Sequence, residues 1–241
     1  PCVGACRSLQ VAPGAAPQAI GENGAHGSTR IRDAPMNGRR PPARGTTPGS
    51  VRLIGGHWRG TRLPVPDVTG LRPTSDRVRE TLFNWLQPML PGARVLDLFA
   101  GSGALGLEAV SRGASSAVLV EADPGLAQAL EAVVAKLQGG DRVQVRRMDA
   151  LACLDAGDDH FDLAFVDPPF AADLWPAVLA RLPARMAADG WLYVESPATL
   201  APSPPADWRL HREGRTRDVR YALYRRATLH AGQAPGDSLT T

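Results

Sequence analysis

Short apolar runs alternate along the second half of the chain with longer segments whose apolar side chains recur every three to four residues. The short runs predict buried β-strands and the longer segments predict amphipathic helices. The predicted strands are Arg94–Leu98, Ala117–Glu121, Arg142–Arg146, Phe161–Val166 and Trp191–Glu195. The predicted helices are Ala104–Arg112, Pro124 to about Leu137, and Leu174 to about Met186, the last disturbed at Pro183. This alternation predicts an α/β fold with a parallel sheet covered by helices on both faces.

The two ends of this region follow other patterns. Trp208–Arg212 and Val219–Arg225 alternate with a period of two around a polar turn, which predicts a closing β-hairpin with antiparallel strands. Upstream, apolar spacing predicts a helix over Asp76–Leu86, capped by Thr74 or Ser75.

A smaller hairpin is predicted before that helix. Val51–Ile54 reads as a strand, Gly55-Gly56 as a turn and Trp58–Gly60 as the start of a second strand, which Pro64 and Pro66 end. Residues 1–50 are rich in Gly, Pro, Ala and Ser without apolar periodicity, so we expect them to be disordered, like the polar residues 229–241. These patterns predict a tail over 1–50, a β-hairpin extension over 51–72, the main domain over 73–228 and a tail over 229–241.

Composition bears on the cellular compartment, on membrane spans and on where translation starts. Three cysteines do not form a disulfide framework, which favours a reducing, cytoplasmic compartment. No run reaches the roughly 18 apolar residues of a membrane span, so none is expected. The chain begins with Pro1 and its first methionine is Met36, so one hypothesis is that translation starts there. The intact mass of the native protein tests it: a mass that includes residues 1–35 would refute it.

Charge is segregated along the chain. The net charge is +8 over residues 1–79, −9 over 80–208 and +4 over 209–241. Two basic flanks around an acidic middle favour a polyanionic partner such as a nucleic acid. A solvated basic surface without a partner would give the same pattern, so charge alone leaves both readings open.

A glycine-rich motif, DLFAGSGALG, runs from Asp97 to Gly106 between a predicted strand and a helix. Glycines there allow a ligand to approach the backbone at the end of the first strand. Glu121 ends the next strand, where a carboxylate can accept both hydroxyl protons of a ribose. The glycine pattern fits NAD(P) and S-adenosylmethionine equally. Asp97, four residues before the first glycine, favours S-adenosylmethionine because it can hold the ammonium of a methionine moiety.

A second motif, Asp167-Pro168-Pro169-Phe170, directly follows the predicted strand Phe161–Val166. The prolines fix the backbone, so the Asp167 carboxylate and the Pro168 carbonyl can accept both protons of an exocyclic amino group. Phe170 offers a ring against which a flipped base can stack. A proline-ended strand followed by a core phenylalanine is the structural alternative.

Together these motifs resemble class I S-adenosylmethionine-dependent methyltransferases that modify amino groups. More narrowly, the chain resembles the RsmD-type 16S rRNA guanine-N2 methyltransferase family, which modifies guanine 966. The matching segments are Arg52–Gly60, Leu71–Leu86, Asp97–Glu108, Phe165–Phe170 and Tyr193–Ser196, and the resemblance covers about Val51 to Arg226.

The resemblance implies a Rossmann-like, seven-stranded, mostly parallel sheet with an antiparallel last strand and a small N-terminal β-hairpin extension. It implies 16S rRNA of the small ribosomal subunit as partner and S-adenosyl-L-methionine as cofactor, without a metal, and a monomer is the default. The implied catalytic residues are Asp167, Pro168 and Phe170. The implied cofactor-binding residues are Asp97, Phe99, Ala100, Gly101, Ser102, Gly103, Glu121, Ala122, Asp149 and Ala150. Of these, Asp97, Phe99, Gly101 and Gly103 would hold the amino acid part, Glu121 would hold the ribose, and Asp149 and Ala150 would flank the adenine. The helix after Arg72-Pro73-Thr74 would help to close the site.

Three alternatives remain at this stage. DNA adenine-N6 methylation shares the Asp-Pro-Pro-Phe motif but needs a DNA-recognition domain, for which the span before the first sheet strand is short. A non-catalytic rRNA-binding assembly factor would not need Asp97, Glu121 and Asp167 together. An NAD(P) dehydrogenase leaves Asp-Pro-Pro-Phe unexplained. The flanking arginines that would grip rRNA are Arg39, Arg40, Arg44, Arg52, Arg59, Arg62 and those from Arg209 to Arg226.

Overall fold

The computed structural model describes residues 49–65 and 75–227. Two strands, β1 (Gly49–Arg52) and β2 (Arg62–Val65), pair antiparallel as a separate ribbon. The other strands are β3 (Arg94–Asp97), β4 (Ser116–Glu121), β5 (Val143–Arg147), β6 (Phe161–Val166), β7 (Met186–Pro197), β8 (Trp208–Arg215) and β9 (Val219–Arg226). The helices are α1 (Asp76–Leu86), α2 (Ala104–Ser111), α3 (Pro124–Val134), α4 (Ala150–Asp155) and α5 (Trp175–Arg181).

The seven strands β3 to β9 form one sheet in the order β5-β4-β3-β6-β7-β9-β8. Strands β3 to β7 run parallel, β9 runs antiparallel to β7, and β8 pairs antiparallel with β9. The predicted fold class is therefore confirmed, including the hairpin at the end. The chain moves outward from β3 through β4 to β5 and then crosses back to β6, so the winding direction reverses between β3 and β6.

The core lies in two layers, one on each face of the sheet. Helices α1, α2 and α3 and the ribbon pack on one face, where Phe165 and Tyr193 point into the cluster. Helices α4 and α5 pack on the other face against the alternate strand residues Ala164 and Val194. Because β6 is covered on both faces, it reads in sequence as an apolar run interrupted only by Asp162 near its start.

Most predicted elements are confirmed, with differences at their ends. Helix α1 has the predicted bounds, and the Ser75 hydroxyl caps it by accepting the Val78 N–H at 3.4 Å. The disturbance at Pro183 is also confirmed, since α5 ends at Arg181 and a 3-10 turn, Leu182–Arg185, follows. Helix α4 was not predicted, because its six residues are too few to show a helical period.

The second strand of the ribbon was predicted at the wrong place. Trp58 and Gly60 lie in a turn, and the strand begins later, at Arg62. The cause is tertiary: the Trp58 N–H donates to the hydroxyl of Ser111, and the indole Nε1–H donates to the carbonyl of Gln138. The indole is 6% exposed, so Trp58 packs the extension onto the domain.

Several expectations fall outside the described residues. These are the disordered tails, apart from Gly49 and Ser50 in β1, the Arg72-Pro73-Thr74 segment, and the domain boundaries at 72 and 228, which stay predictions. Over 49–65 and 75–227, every helix is too short or too polar to cross a membrane.

Candidate active site

The predicted site residues meet at one edge of the sheet. Asp97, Glu121 and Asp167 lie at or just after the carboxyl ends of β3, β4 and β6. Strands β3 and β6 are neighbours, and the winding direction reverses between them. Open α/β sheets bind their ligands in the crevice outside the carboxyl ends of the strands at such a reversal.

The glycine-rich loop wraps closely around the end of β3. Gly103 has φ of +77°, and a Cβ there would come within 2.5 Å of Leu130 of α3. A Cβ on Gly106 would collide with the side chain of Leu119 of β4. The glycines therefore provide a left-handed turn and a close approach of α2 to the sheet, and larger residues would push the loop out of place.

Glu121 ties this loop to the next one. One carboxylate oxygen accepts the Gly101 N–H at 2.9 Å, and the other accepts the Asp123 N–H at 2.8 Å. The Glu121 side chain is half-buried, and each oxygen keeps a lone pair beyond these bonds. A ribose placed at this edge would find an oriented acceptor pair.

Asp97 points inward instead of lying open at the edge. It is 2% exposed, and its Oδ2 accepts the Gly106 N–H at 3.0 Å. Burial raises the pKa of Asp97 to about 7, against the lowering effect of hydrogen bonds from the backbone N–H groups of Gly106 and Phe99. In this structure Asp97 holds the glycine loop in shape, so a contact to a cofactor ammonium would be an additional role.

The loop after β5 completes the cofactor side. Asp149 is exposed and caps α4, accepting the N–H groups of Leu151 at 2.8 Å and Ala152 at 3.1 Å. The Met148 N–H donates to the Glu121 carbonyl at 3.1 Å, which sets this loop beside the end of β4. Ala150 is buried and Ala122 is exposed. The predicted ribose and adenine residues therefore adjoin.

The Asp167–Phe170 segment follows β6 at the same edge. Asp167 is half-buried, Pro168 is buried, and Phe170 is 38% exposed, with its ring centroid 5.9 Å from that of Trp175. The Pro169 carbonyl accepts the Ala172 N–H at 2.9 Å, whereas within 49–65 and 75–227 no backbone N–H donates to the Pro168 carbonyl. An exposed ring beside a half-buried carboxylate and an available carbonyl suits a planar ligand that carries an amino group.

Sequence reasoning gave no role to a second polar pair beside Asp167. The Tyr193 hydroxyl donates to Oε2 of Glu195 at 3.3 Å, and both side chains are buried. Burial raises the pKa of Tyr193 well above its ordinary value, and the nearby charges of Glu195 and Asp167 add to this. Val166 pairs with Val194, so Asp167 and Glu195 are the next residues of neighbouring parallel strands. Strand alternation puts Tyr193 and Glu195 on one face of β7, but only the register with β6 places them beside Asp167.

The structure places no group of three or more His, Cys, Asp or Glu side chains in position to hold a metal ion within 49–65 and 75–227.

The sheet order, the antiparallel last strand and the glycine loop at the reversal define a class I methyltransferase fold. The family model described as Conserved hypothetical protein 95 matches residues 51–225. Ribosomal RNA small subunit methyltransferase D of Escherichia coli (strain K12) is 47% identical over 181 residues, covering 74% of this chain and 91% of the relative. The Haemophilus influenzae protein of that name is 40% identical over 185 residues, covering 73% and 94%. The solved structure of yhhF from Escherichia coli has 46% identity and a TM-score of 0.69, covering 75% and 99%. The chain belongs to this RsmD-type methyltransferase family.

Proposed function

We propose that this protein transfers a methyl group from S-adenosylmethionine to the exocyclic N2 of a guanine in 16S rRNA, at the position of guanine 966. The observation that carries the proposal is the Asp167–Phe170 segment, which lies beside the glycine loop where the winding of the sheet reverses. The family membership supports methyl transfer to small-subunit rRNA.

The residues at the edge fit the cofactor. Gly101 and Gly103 both have positive φ, which gives the loop the tight turn that lets a ligand approach its backbone, and the Glu121 carboxylate is oriented for a ribose. We assign Asp97, Phe99, Ala100, Gly101, Ser102 and Gly103 to the amino acid part, Glu121 and Ala122 to the ribose, and Asp149 and Ala150 to the adenine. When bound, the cofactor supplies a methyl group already activated on a sulfonium.

The protein's own task is to orient the amino group of guanine. The lone pair of this nitrogen is delocalised into the ring, which makes it a poor nucleophile. Asp167 and the Pro168 carbonyl accept its two protons, which turns the nitrogen lone pair toward the methyl carbon. Phe170 stacks on the flipped base and holds its plane. Alignment and fixed dipoles of this kind are the main sources of rate enhancement when the leaving group is already good.

The reaction balances without a metal or an external base. An N–C bond forms as the S–C bond breaks, and the sulfur keeps the electron pair as S-adenosylhomocysteine. The methylated nitrogen then loses one proton, which Asp167 accepts directly or through a water molecule.

Product analysis tests the proposal. The protein is incubated with labelled S-adenosylmethionine and small ribosomal subunits that lack native methylation, and the labelled nucleoside is identified after digestion. N2-methylguanosine at one site is the expected product. N6-methyladenosine would instead identify an adenine methyltransferase, and the lack of any cofactor binding would refute methyl transfer.

Variants of Asp167 test its role. Asp167→Ala should lower turnover by roughly 10²-fold, as loss of other preorganised contacts does, and leave S-adenosylmethionine affinity near wild type. Asp167→Asn keeps one acceptor oxygen and should retain more activity than the alanine variant. The matched control is Asp189→Asn, because Asp189 is exposed near the start of β7, at the opposite edge of the sheet. Single-turnover rates and calorimetry give the two readouts, and wild-type turnover of the alanine variant would contradict the assignment.

A further inference from the structure

The outward face of the ribbon carries two arginines directly opposite each other. Arg52 of β1 and Arg62 of β2 are cross-strand partners, and both are exposed. The neighbouring pair, Val51 and Leu63, points inward and is buried. The strand alternation therefore fixes both guanidinium groups on the solvent side.

This arrangement is unfavourable in the free protein. Side chains directly opposite on antiparallel strands have Cβ atoms about 4.5–5.5 Å apart, and like charges at this distance destabilise the pair. Over 49–65 and 75–227, neither Arg52 nor Arg62 forms an ion pair with an acidic side chain. An anion between or beside the two groups would remove the repulsion, and a phosphate suits the forked donors of arginine.

The ribbon that carries the pair is fixed to α2. The N–H groups of Ile54 and Gly55 each donate to the carboxylate of Glu108 at 2.7 Å. The hydroxyl of Ser111 donates to the Gly55 carbonyl at 2.6 Å and accepts the Trp58 N–H at 2.9 Å. Two side chains of one helix thus hold the turn that follows β1.

A further contact fixes the end of β1 itself. The fully buried Arg79 of α1 donates to the Arg52 carbonyl at 2.9 Å. A rigid support matters because the backbone that carries the pair is already ordered and loses little conformational entropy when the pair binds. Only the guanidinium arms of the two arginines remain to be ordered.

The pair also lies close to the cofactor loop. Pro64 of β2 lines a small pocket together with Gly101 and Ser102 of the glycine loop. Arg62 is two residues before Pro64, which is about 7 Å along a strand. An RNA strand held at the ribbon is therefore near the edge where the base must enter.

We infer that the Arg52–Arg62 pair is a phosphate-binding site for the RNA backbone, built on the ribbon to hold the substrate beside the cofactor loop. The inference rests on the proposed function, because it takes the polyanion to be RNA. The pair positions the substrate through its backbone and does not touch the reacting atoms. Its loss should therefore raise KM for RNA and leave kcat unchanged.

The test measures the affinity of the full chain for unmethylated small ribosomal subunits over a salt series. Arg52→Gln and Arg62→Gln should each lower the slope of log affinity against log salt by about 1. Each should also weaken binding roughly tenfold at low salt, as expected for loss of a charged hydrogen bond. The matched control is Arg181→Gln, which removes an exposed arginine of α5 on the opposite face of the sheet and should leave the slope unchanged.

A thermal unfolding measurement separates binding from folding. Because glutamine removes the repulsion, both variants should melt at or above the wild-type temperature. Slopes and KM values equal to wild type in both variants would overturn the inference, as would an equal loss in the Arg181→Gln control. If wild type methylates the subunits while the variants match its slope, the phosphate site alone is wrong. If wild type neither binds nor methylates them, the proposed function fails and the inference falls with it.

Discussion

Asp97 is the residue whose structural environment differs most from the role that its position in the sequence predicts. Its place at the end of β3 marks it as a ligand contact, yet the carboxylate is buried and holds the backbone of Gly106. A buried carboxylate is costly in its charged form, and desolvation accordingly raises the pKa of Asp97 to about 7. The free energy of unfolding must therefore depend on the protonation of this one group.

The sign of that dependence follows from proton linkage. Between about pH 4 and 7 the folded state holds a proton on Asp97 that the unfolded state has lost, so this group's contribution to stability falls as pH rises. The slope approaches 1.4 kcal/mol per pH unit within that window. In urea unfolding from pH 4.5 to 7.5, chosen at roughly these limits, Asp97→Asn should lose this component relative to wild type. Parallel pH profiles for the two proteins would contradict the assignment.

Helix α2 supports both the glycine loop that precedes it and the turn that follows β1. Its first residues follow the glycine loop, and its last turns hold the ribbon through Glu108 and Ser111. Glu108 is fully buried and also accepts the Arg112 Nε–H at 2.6 Å. A charge without solvent contact is tolerated here because the carboxylate accepts two backbone N–H groups and one guanidinium donor.

Removing that carboxylate should loosen the ribbon. Glu108→Ala leaves the N–H groups of Ile54 and Gly55 and the Arg112 guanidinium without their acceptor, which should cost about 3–5 kcal/mol of unfolding free energy. Glu108→Gln keeps one acceptor oxygen and should cost less. Glu131→Ala on the exposed surface of α3 is the control, expected within about 0.5 kcal/mol of wild type. Hydrogen exchange should rise at residues 54–55 in the alanine variant; an unchanged protection pattern would argue against the anchor.

Elements whose fold signal is local were predictable from sequence, and those that depend on distant contacts were not. Strand β6 and helix α1 have the predicted bounds because burial on both faces and an amphipathic period are visible within the segment. The turn at Trp58 depends on Ser111, which lies 53 residues away, so no local pattern could place β2. At the site, parallel strands bring Asp97, Glu121 and Asp167 to one edge whatever the register, whereas placing the Tyr193–Glu195 pair beside Asp167 needs the register of β6 and β7.

At the scale of the whole molecule, the number of arginines overstates how many cations are available to a partner. Among the arginines that follow Trp208, Arg220 pairs with Glu213 at 2.6 Å and Arg226 with Asp207 at 2.7 Å. The Arg225 guanidinium lies 5.4 Å from the centroid of the Trp191 ring. These three groups stabilise the sheet edge. Exposed arginines without an acidic partner over 49–65 and 75–227, such as Arg209, Arg212 and Arg217, are the stronger candidates for contact with RNA.

Thermal unfolding of the whole chain tests which class of cofactor it binds, because a ligand that binds only the folded chain raises its melting temperature. At a concentration about 100 times Kd, S-adenosylmethionine should stabilise the protein by about 2.7 kcal/mol. For a domain of this size that corresponds to a shift of about 5–10 °C. S-adenosylhomocysteine should give a comparable shift because it keeps the amino acid, ribose and adenine contacts, whereas NAD⁺ at equal concentration should give none. The glycine loop by itself suits NAD(P) and S-adenosylmethionine equally. A melting shift with NAD⁺ and none with S-adenosylmethionine would therefore indicate a dehydrogenase, and it would leave the Asp167–Phe170 segment without a function.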